Sequence, residues 1–173
     1  MKAERPYPSI TITPKGERAI VSGHPWIYDA EITAVQPSIA DGDIVDVLSA
    51  KGRWLGSAFY NSHSKIRGRL ISRNANDRFD DAFWLRRLRY AWEYRKSVLS
   101  EQDLSCCRII FGVADTFPGL TVDRFGDILV AQVLSLGIER RKDVLFPALA
   151  ALLREDGQTI RGIYERNDAA LRE

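Results

Sequence analysis

Apolar and polar positions alternate in short runs over the first seventy or so residues, then change to a helical period. Ser9 to Thr13 (SITIT) alternates β-branched and small polar residues and predicts a strand. Lys15 to Val21 (KGERAIV) predicts a short helix, opened by Pro14 and closed by Ser22-Gly23. His24 to Tyr28 (HPWIY) reads as a short extended stretch. Further strands are predicted at Ile44–Leu48, Trp54–Tyr60 and Lys65–Ile71, with turn chemistry at Asp41-Gly42-Asp43 and Lys51-Gly52. Several short strands broken by close-spaced turns suggest a small β-barrel carrying one inserted helix.

The polar run Asn74-Ala75-Asn76-Asp77 suits a linker. Beyond it, Trp84, Leu85, Leu88, Ala91, Trp92, Val98 and Leu99 fall on one stripe and predict an amphipathic helix over Asp80–Leu99. Its cations Arg86, Arg87, Arg89, Arg95 and Lys96 are expected to face solvent rather than RNA. Strands follow at Arg108–Ala114, Leu120–Arg124 and Ile128–Leu136, joined by Pro-Gly and Gly-Asp turns. A helix is predicted over Glu139–Arg154, kinked or divided by Pro147. A last strand covers Thr159–Tyr164. The fold class is therefore α+β: a small β-barrel over residues 1–74 and a mixed α/β domain over 77–168, with residues 169–173 starting a further segment.

The chain has 173 residues, enough to bury a core without disulfides or metal. With 45% apolar and 28% charged residues it is ordinary for a globular protein, which excludes wholesale disorder. A net charge of +2 does not by itself imply a polyanion partner. Its distribution says more. Residues 1–74 carry ten Lys or Arg against seven Asp or Glu, whereas residues 109–173 carry eight against ten. A polyanion-binding face is thus expected in the first half. Cys106 and Cys107 are adjacent and cannot staple distant segments, which indicates a reducing compartment. No signal peptide or membrane-length apolar run is present, and a cytoplasmic location without membrane association is expected.

Most catalytic chemistry is missing. There is no glycine-rich phosphate loop, and His24, His63 and the cysteine pair make no metal site and no activated nucleophile. His24 reads as a structural loop residue, and Asp115, Asp123 and Asp127 as turn caps. The candidate binding feature is Lys65 to Arg73 (KIRGRLISR). In a strand, Lys65, Arg67 and Arg69 share one face, while Ile66 and Leu70 share the other. Such a row can track a phosphate backbone, or simply solvate the outside of a barrel; spacing alone leaves both open. Gly68 permits a close approach of another backbone.

Three stretches carry a resemblance. Lys15 to Ile32, with His24-Pro25-Trp26-Ile27-Tyr28, resembles the start of the PUA domain of bacterial class I ribosomal RNA cytosine-C5 methyltransferases. Gly112 to Asp127 (GVADTFPGLTVDRFGD) resembles the middle-domain signature of that family, with Thr116 in place of the usual glycine and Phe117 in place of leucine. Ile163 to Arg172 (IYERNDAALR) resembles the segment leading to the catalytic domain, with Asn167 where serine is usual.

The resemblance implies a PUA-like barrel followed by a mixed α/β middle domain. It also implies an enzyme dependent on S-adenosylmethionine that methylates carbon 5 of a cytosine in ribosomal RNA. The cofactor glycines and nucleophilic cysteine of the family lie in a Rossmann-like domain beyond the matched stretches. Cys106 and Cys107 precede the middle signature and do not correspond to that nucleophile. This chain is therefore expected to be an RNA-binding N-terminal portion, inactive alone and binding no cofactor itself. The expected partner is structured, ribosomal RNA, and the expected contacts are Lys15, Arg18, Lys65, Arg67, Arg69 and Arg73. A freestanding RNA-binding module without enzymatic activity, and a middle domain that supports a homodimer, are the alternatives.

Overall fold

The computed structural model describes residues 5–167, so the expected segment 169–173 lies outside the described residues. The chain divides into two units after Asn76.

The first unit holds β1 (Ser9–Ile12), α1 (Pro14–Val21), β2 (Trp26–Tyr28), β3 (Ile32–Val35), β4 (Ile44–Ser49), β5 (Trp54–Tyr60) and β6 (Ile66–Ser72). They form one sheet in the order β2-β6-β5-β4-β1-β3, with β1 parallel to β4 and the other pairs antiparallel. The strands at its two ends, β2 and β3, are joined only by the 3-10 turn Asp29–Glu31. In a flat sheet of six strands, ~4.8 Å apart, those ends would lie about 24 Å from each other. Three linking residues span roughly 14 Å at most. The sheet must therefore curl into a half-barrel.

Its concave side is filled by Ile10, Ile12, Ile20, Ile27, Val45, Val47, Ala58, Tyr60 and Leu70. Helix α1 starts at Thr13, whose side chain accepts from Gly16 N at 3.2 Å, and contributes Ile20 to that core. Gly68 faces the same side. A Cβ there would meet Ile27 Cδ1 at 2.8 Å, so the close approach that Gly68 permits is to the core side chain of the neighbouring strand. Two expectations change. Strand β3 carries no sequence signal, because only Ile32 of its four residues is even half-buried. The turn at Asp41-Gly42-Asp43 does not join hairpin partners, since β3 pairs with β1 and not with β4.

The second unit holds α2 (Asp81–Val98), β7 (Arg108–Phe111), β8 (Leu120–Phe125), β9 (Ile128–Val133), α3 (Leu136–Glu139), α4 (Lys142–Glu155) and β10 (Gly162–Glu165). The sheet order is β10-β9-β8-β7, antiparallel except for the parallel pair β9/β10. Leu120 and Val122 of β8 and Leu129, Ala131 and Val133 of β9 alternate inward, and α2 packs against α4 and β7.

The buried stripe of α2 differs from the expected one. It runs through Trp84, Leu88, Ala91, Trp92 and Arg95, while Leu85 and Val98 are exposed. Arg95 faces inward because it has partners there: Nε donates to Arg108 O at 2.7 Å, and the guanidinium forks onto Asp115. Asp123 caps no turn; it lies within β8 and pairs with Arg108 across the strands. Strand β7 stops at Phe111 and passes into a 3-10 turn over Gly112–Asp115. Pro147 neither divides nor ends α4, and the helical break falls at Arg140-Arg141 instead. Asp143 and Pro147 both lie on the exposed side, so the carbonyl that loses its donor to proline is open to water.

Candidate nucleic-acid interface

Strand β6 brings its cations to the convex face of the half-barrel. Gly68 and Leu70 point into the core, so Arg67 and Arg69 point out. Lys65 is exposed and immediately precedes the strand. Arg69 lies directly opposite Trp26 of β2 on one side and Phe59 of β5 on the other. Directly opposed residues share a face, which places Trp26, Arg69 and Phe59 in one row.

The six expected contacts fall into three states. Lys15 and Arg18 on α1, together with Lys65, are exposed and have no side-chain partner among the described residues. Arg67 is committed: its Nε lies 2.7 Å from Asp29 Oδ1, the charges meeting without hydrogen-bond alignment. Arg73 is committed too, donating to Ile20 O at 2.5 Å and His24 O at 3.1 Å. Those carbonyls sit at the C-terminal end of α1, where a cation complements the helix dipole. Arg69 stands apart. It is half-buried with no acid and no hydrogen-bond acceptor among the described residues, and that burial holds its pKa below the ordinary arginine value.

Beside these cations lies an aromatic group that spacing did not single out as a site. The His24 ring is 5.8 Å from that of Trp26, edge-on, and 5.9 Å from that of Tyr28. Trp26 and Trp54 are expected to be largely buried in the barrel, yet both are only half-buried. Trp26 belongs to the convex face, and Trp54 opens β5 beneath the Arg5 guanidinium, 5.2 Å from its ring. Trp84 and Trp92 do lie in a core. The signal in the sequence was the pairing: an aromatic two residues from another on an edge strand, beside a strand of arginines.

In the second unit, a cavity of about 170 Å³ is lined by Arg87, Tyr90, Ala91, Ala114, Asp115 and Thr116. Arg87 donates to Thr116 Oγ1 at 2.9 Å, and burial lowers its pKa against the opposing pull of Asp77. A second cavity of about 100 Å³ lies among Arg89, Trp92, Glu93, Leu152, Glu155 and Asp156. Among the described residues no cluster of His, Cys, Asp or Glu could hold a metal ion, and no helix is long and apolar enough to cross a membrane. The cysteines are free, Cys106 exposed and Cys107 half-buried, with burial raising the pKa of Cys107.

Residues 10–73 match the family model described as PUA-like domain. Among curated proteins, the chain is 37% identical over 164 residues to the Ribosomal RNA large subunit methyltransferase I of Aeromonas hydrophila subsp. hydrophila, covering 95% of this chain and 40% of that protein. It is 34% identical over 156 residues to the protein of the same name from Escherichia coli strain SMS-3-5, covering 90% and 38%. The chain thus spans about two fifths of the length of the curated relatives it matches. Among solved structures, a methyltransferase complexed with SAH superposes with a TM-score of 0.75 at 18% identity, over 94% of this chain and 41% of that one. A SAM-dependent methyltransferase from Streptococcus mutans gives 0.74, also at 18%, over 92% and 40%. At that identity the likeness is one of fold. In sequence, the homologues of this chain are ribosomal RNA large subunit methyltransferase I proteins, and residues 10–73 are similar to PUA-like domains.

Proposed function

We propose that this chain is the RNA-binding portion of an S-adenosylmethionine-dependent ribosomal RNA methyltransferase, with residues 1–74 making the principal contact. The parent activity would be methylation of cytosine carbon 5, carried out by a separate catalytic domain. The observation that carries the reading is the convex face of β2 and β6, where exposed cations and a half-buried, acid-free Arg69 stand beside aromatic rings within the PUA-like match. Lys15, Arg18 and Lys65 supply mobile charge for phosphates. Arg69 supplies a planar fork that can grip a phosphate with two parallel hydrogen bonds. Arg67 and Arg73 act mainly by holding the face in shape, through Asp29 and the end of α1.

In this reading the methyl donor is held by the catalytic domain, and no chemical step is assigned to this chain. Residues 77–168 serve in this reading as a middle domain that links the RNA-binding unit to the catalytic one. The test is binding of a ribosomal RNA fragment to wild type and to Arg67→Ala/Arg69→Ala, with circular dichroism to confirm the fold. The double variant is expected to bind at least tenfold more weakly. Equal affinity would remove β6 from the interface.

A further inference from the structure

We propose that the convex face of β2 and β6 binds an unpaired nucleotide of single-stranded RNA, its base stacked on the aromatic group of Trp26 and Tyr28 and its phosphate held by Arg69. The inference rests on the RNA-binding reading above and narrows it, from a face that tracks backbone charge to one that takes a base out of its stack.

The first argument is the chemistry left unsatisfied. Arg69 keeps a half-buried guanidinium with no acceptor among the described residues. Burying a cation without a partner is costly, and the expense is recovered when an anion arrives. Asp29, which follows β2, is paired with Arg67. His24 adds a donor. The Trp26 amide N–H donates to His24 Nδ1 at 3.1 Å, with the Trp26 carbonyl 3.2 Å from the same nitrogen. An amide N–H can only donate, so in that contact Nδ1 acts as the acceptor, which leaves Nε2 as the ring nitrogen for a ligand. The patch therefore presents donors to a ligand rich in acceptors, as a nucleotide is.

The second argument is geometric. Trp26 lies directly opposite Arg69, and the His24 ring is edge-on to Trp26 and within 5.9 Å of Tyr28. Tyr28 is 40% exposed. Strand β2 closes one end of the sheet, so this aromatic group sits at an edge that a base can reach. Bases in an A-form duplex are stacked on each other and present only their edges, so ring-on-ring contact requires an unpaired base. A surface meant only for duplex phosphates needs cations, not a group of rings beside them.

The test uses anisotropy of a short fluorescein-labelled single-stranded RNA, and of the same sequence annealed into a duplex, at one fixed salt concentration. Wild type is compared with Tyr28→Ala, Trp26→Phe, Arg69→Gln and Arg69→Lys, each checked by thermal melting. Wild type is expected to favour the single strand, and Tyr28→Ala to lose about fivefold or more in single-strand affinity, the low end for one stacked base. Arg69→Gln is expected to lose more than Arg69→Lys, which keeps the charge without the fork. Trp26→Phe is expected to keep most of the affinity, because it keeps a ring and the fold, while abolishing most of the tryptophan quenching on single-strand binding. Two results would overturn the inference and leave RNA binding standing: preference for the duplex, or Tyr28→Ala and Arg69→Gln variants that bind the single strand as wild type does. Absence of binding to either RNA would overturn both readings.

Discussion

Thr116 adopts the left-handed conformation, with φ at +62°. For a β-branched residue that costs on the order of 1–2 kcal/mol. The strain is held in place by two hydrogen bonds of its hydroxyl, to Asp115 O at 2.6 Å and from Arg87 at 2.9 Å. Asparagine tolerates this conformation, keeps a polar side chain for Arg87 and avoids the unfolded-state entropy of glycine. Thr116→Asn is therefore expected to raise stability by ~0.5–1 kcal/mol, read as a higher urea midpoint at unchanged slope. The opposite case is Gly119, with φ at +90° and a hypothetical Cβ 3.0 Å from Ser135 N and 2.5 Å from its side chain. Gly119→Ala meets strain and collision together and is expected to lower stability by about 2 kcal/mol or more. At this scale the sequence was informative about which residues share a face. It was silent about which acid or carbonyl each cation meets. Nothing in KIRGRLISR says that Arg67 faces Asp29, that Arg73 spans the end of α1, or that Arg69 faces neither. Those outcomes depend on contacts between residues far apart in the chain.

Helix α2 is fixed to α4 by a contact that no local pattern announces. The fully buried Trp92 donates from Nε1 to Asp156 Oδ2 at 2.8 Å, and Lys96 reaches Asp156 Oδ1 at 3.1 Å. The Trp92 hydrogen bond, then the Lys96 hydrogen bond and charge, hold the Asp156 carboxyl below its ordinary pKa. A carboxyl depressed on folding adds stability above its unfolded pKa and gives it up as pH falls through the folded value. Wild type is thus expected to lose part of its stability on acidification below about pH 4, and Asp156→Asn to flatten that limb in melts across a pH series. An unaltered acid limb in Asp156→Asn would remove this contact from the acid response. Long, strongly patterned elements were the legible ones. Strand β5 was bounded to the residue, and α1, α2, β4, β6 and β8 to within a residue or two. The errors sit where tertiary partners override local pattern. Arg95 breaks the apolar stripe because Asp115 and Arg108 O await it, and β7 yields to a turn closed by Phe111 N donating to Asp115. Strand β3 exists because β1 pairs with it, not because its residues alternate.

Over the whole molecule, charge is divided between the units. Residues 1–76 carry ten basic against seven acidic side chains, and residues 77–172 carry fifteen of each. The excess belongs to the unit that matches the PUA-like family, so a polyanion is drawn to that unit first. Cofactor binding gives one check on this division of labour. Titration calorimetry of the chain with S-adenosylmethionine is expected to show no heat of binding; a micromolar isotherm would place a cofactor site within these residues. Salt dependence gives a sharper one. If every expected contact met a phosphate, Lys15, Arg18, Lys65, Arg67, Arg69 and Arg73 would all contribute to counterion release. Two of them are already engaged within the protein, which leaves four. At ~0.7 per contact for single strands, four contacts give a log–log slope of about −3. The expected consequence of Arg69→Ala is a slope shallower by roughly 0.7, with little change in melting temperature, since that guanidinium holds nothing in the free protein. Arg73→Ala should do the reverse. It removes the side-chain donor to His24 O and one of the two donors to Ile20 O, which keeps Gly23 N, so the melting temperature falls while the salt slope stays near that of wild type. A slope that drops equally in both variants would mean that Arg73 leaves α1 to meet RNA, and that the free protein rearranges when it binds.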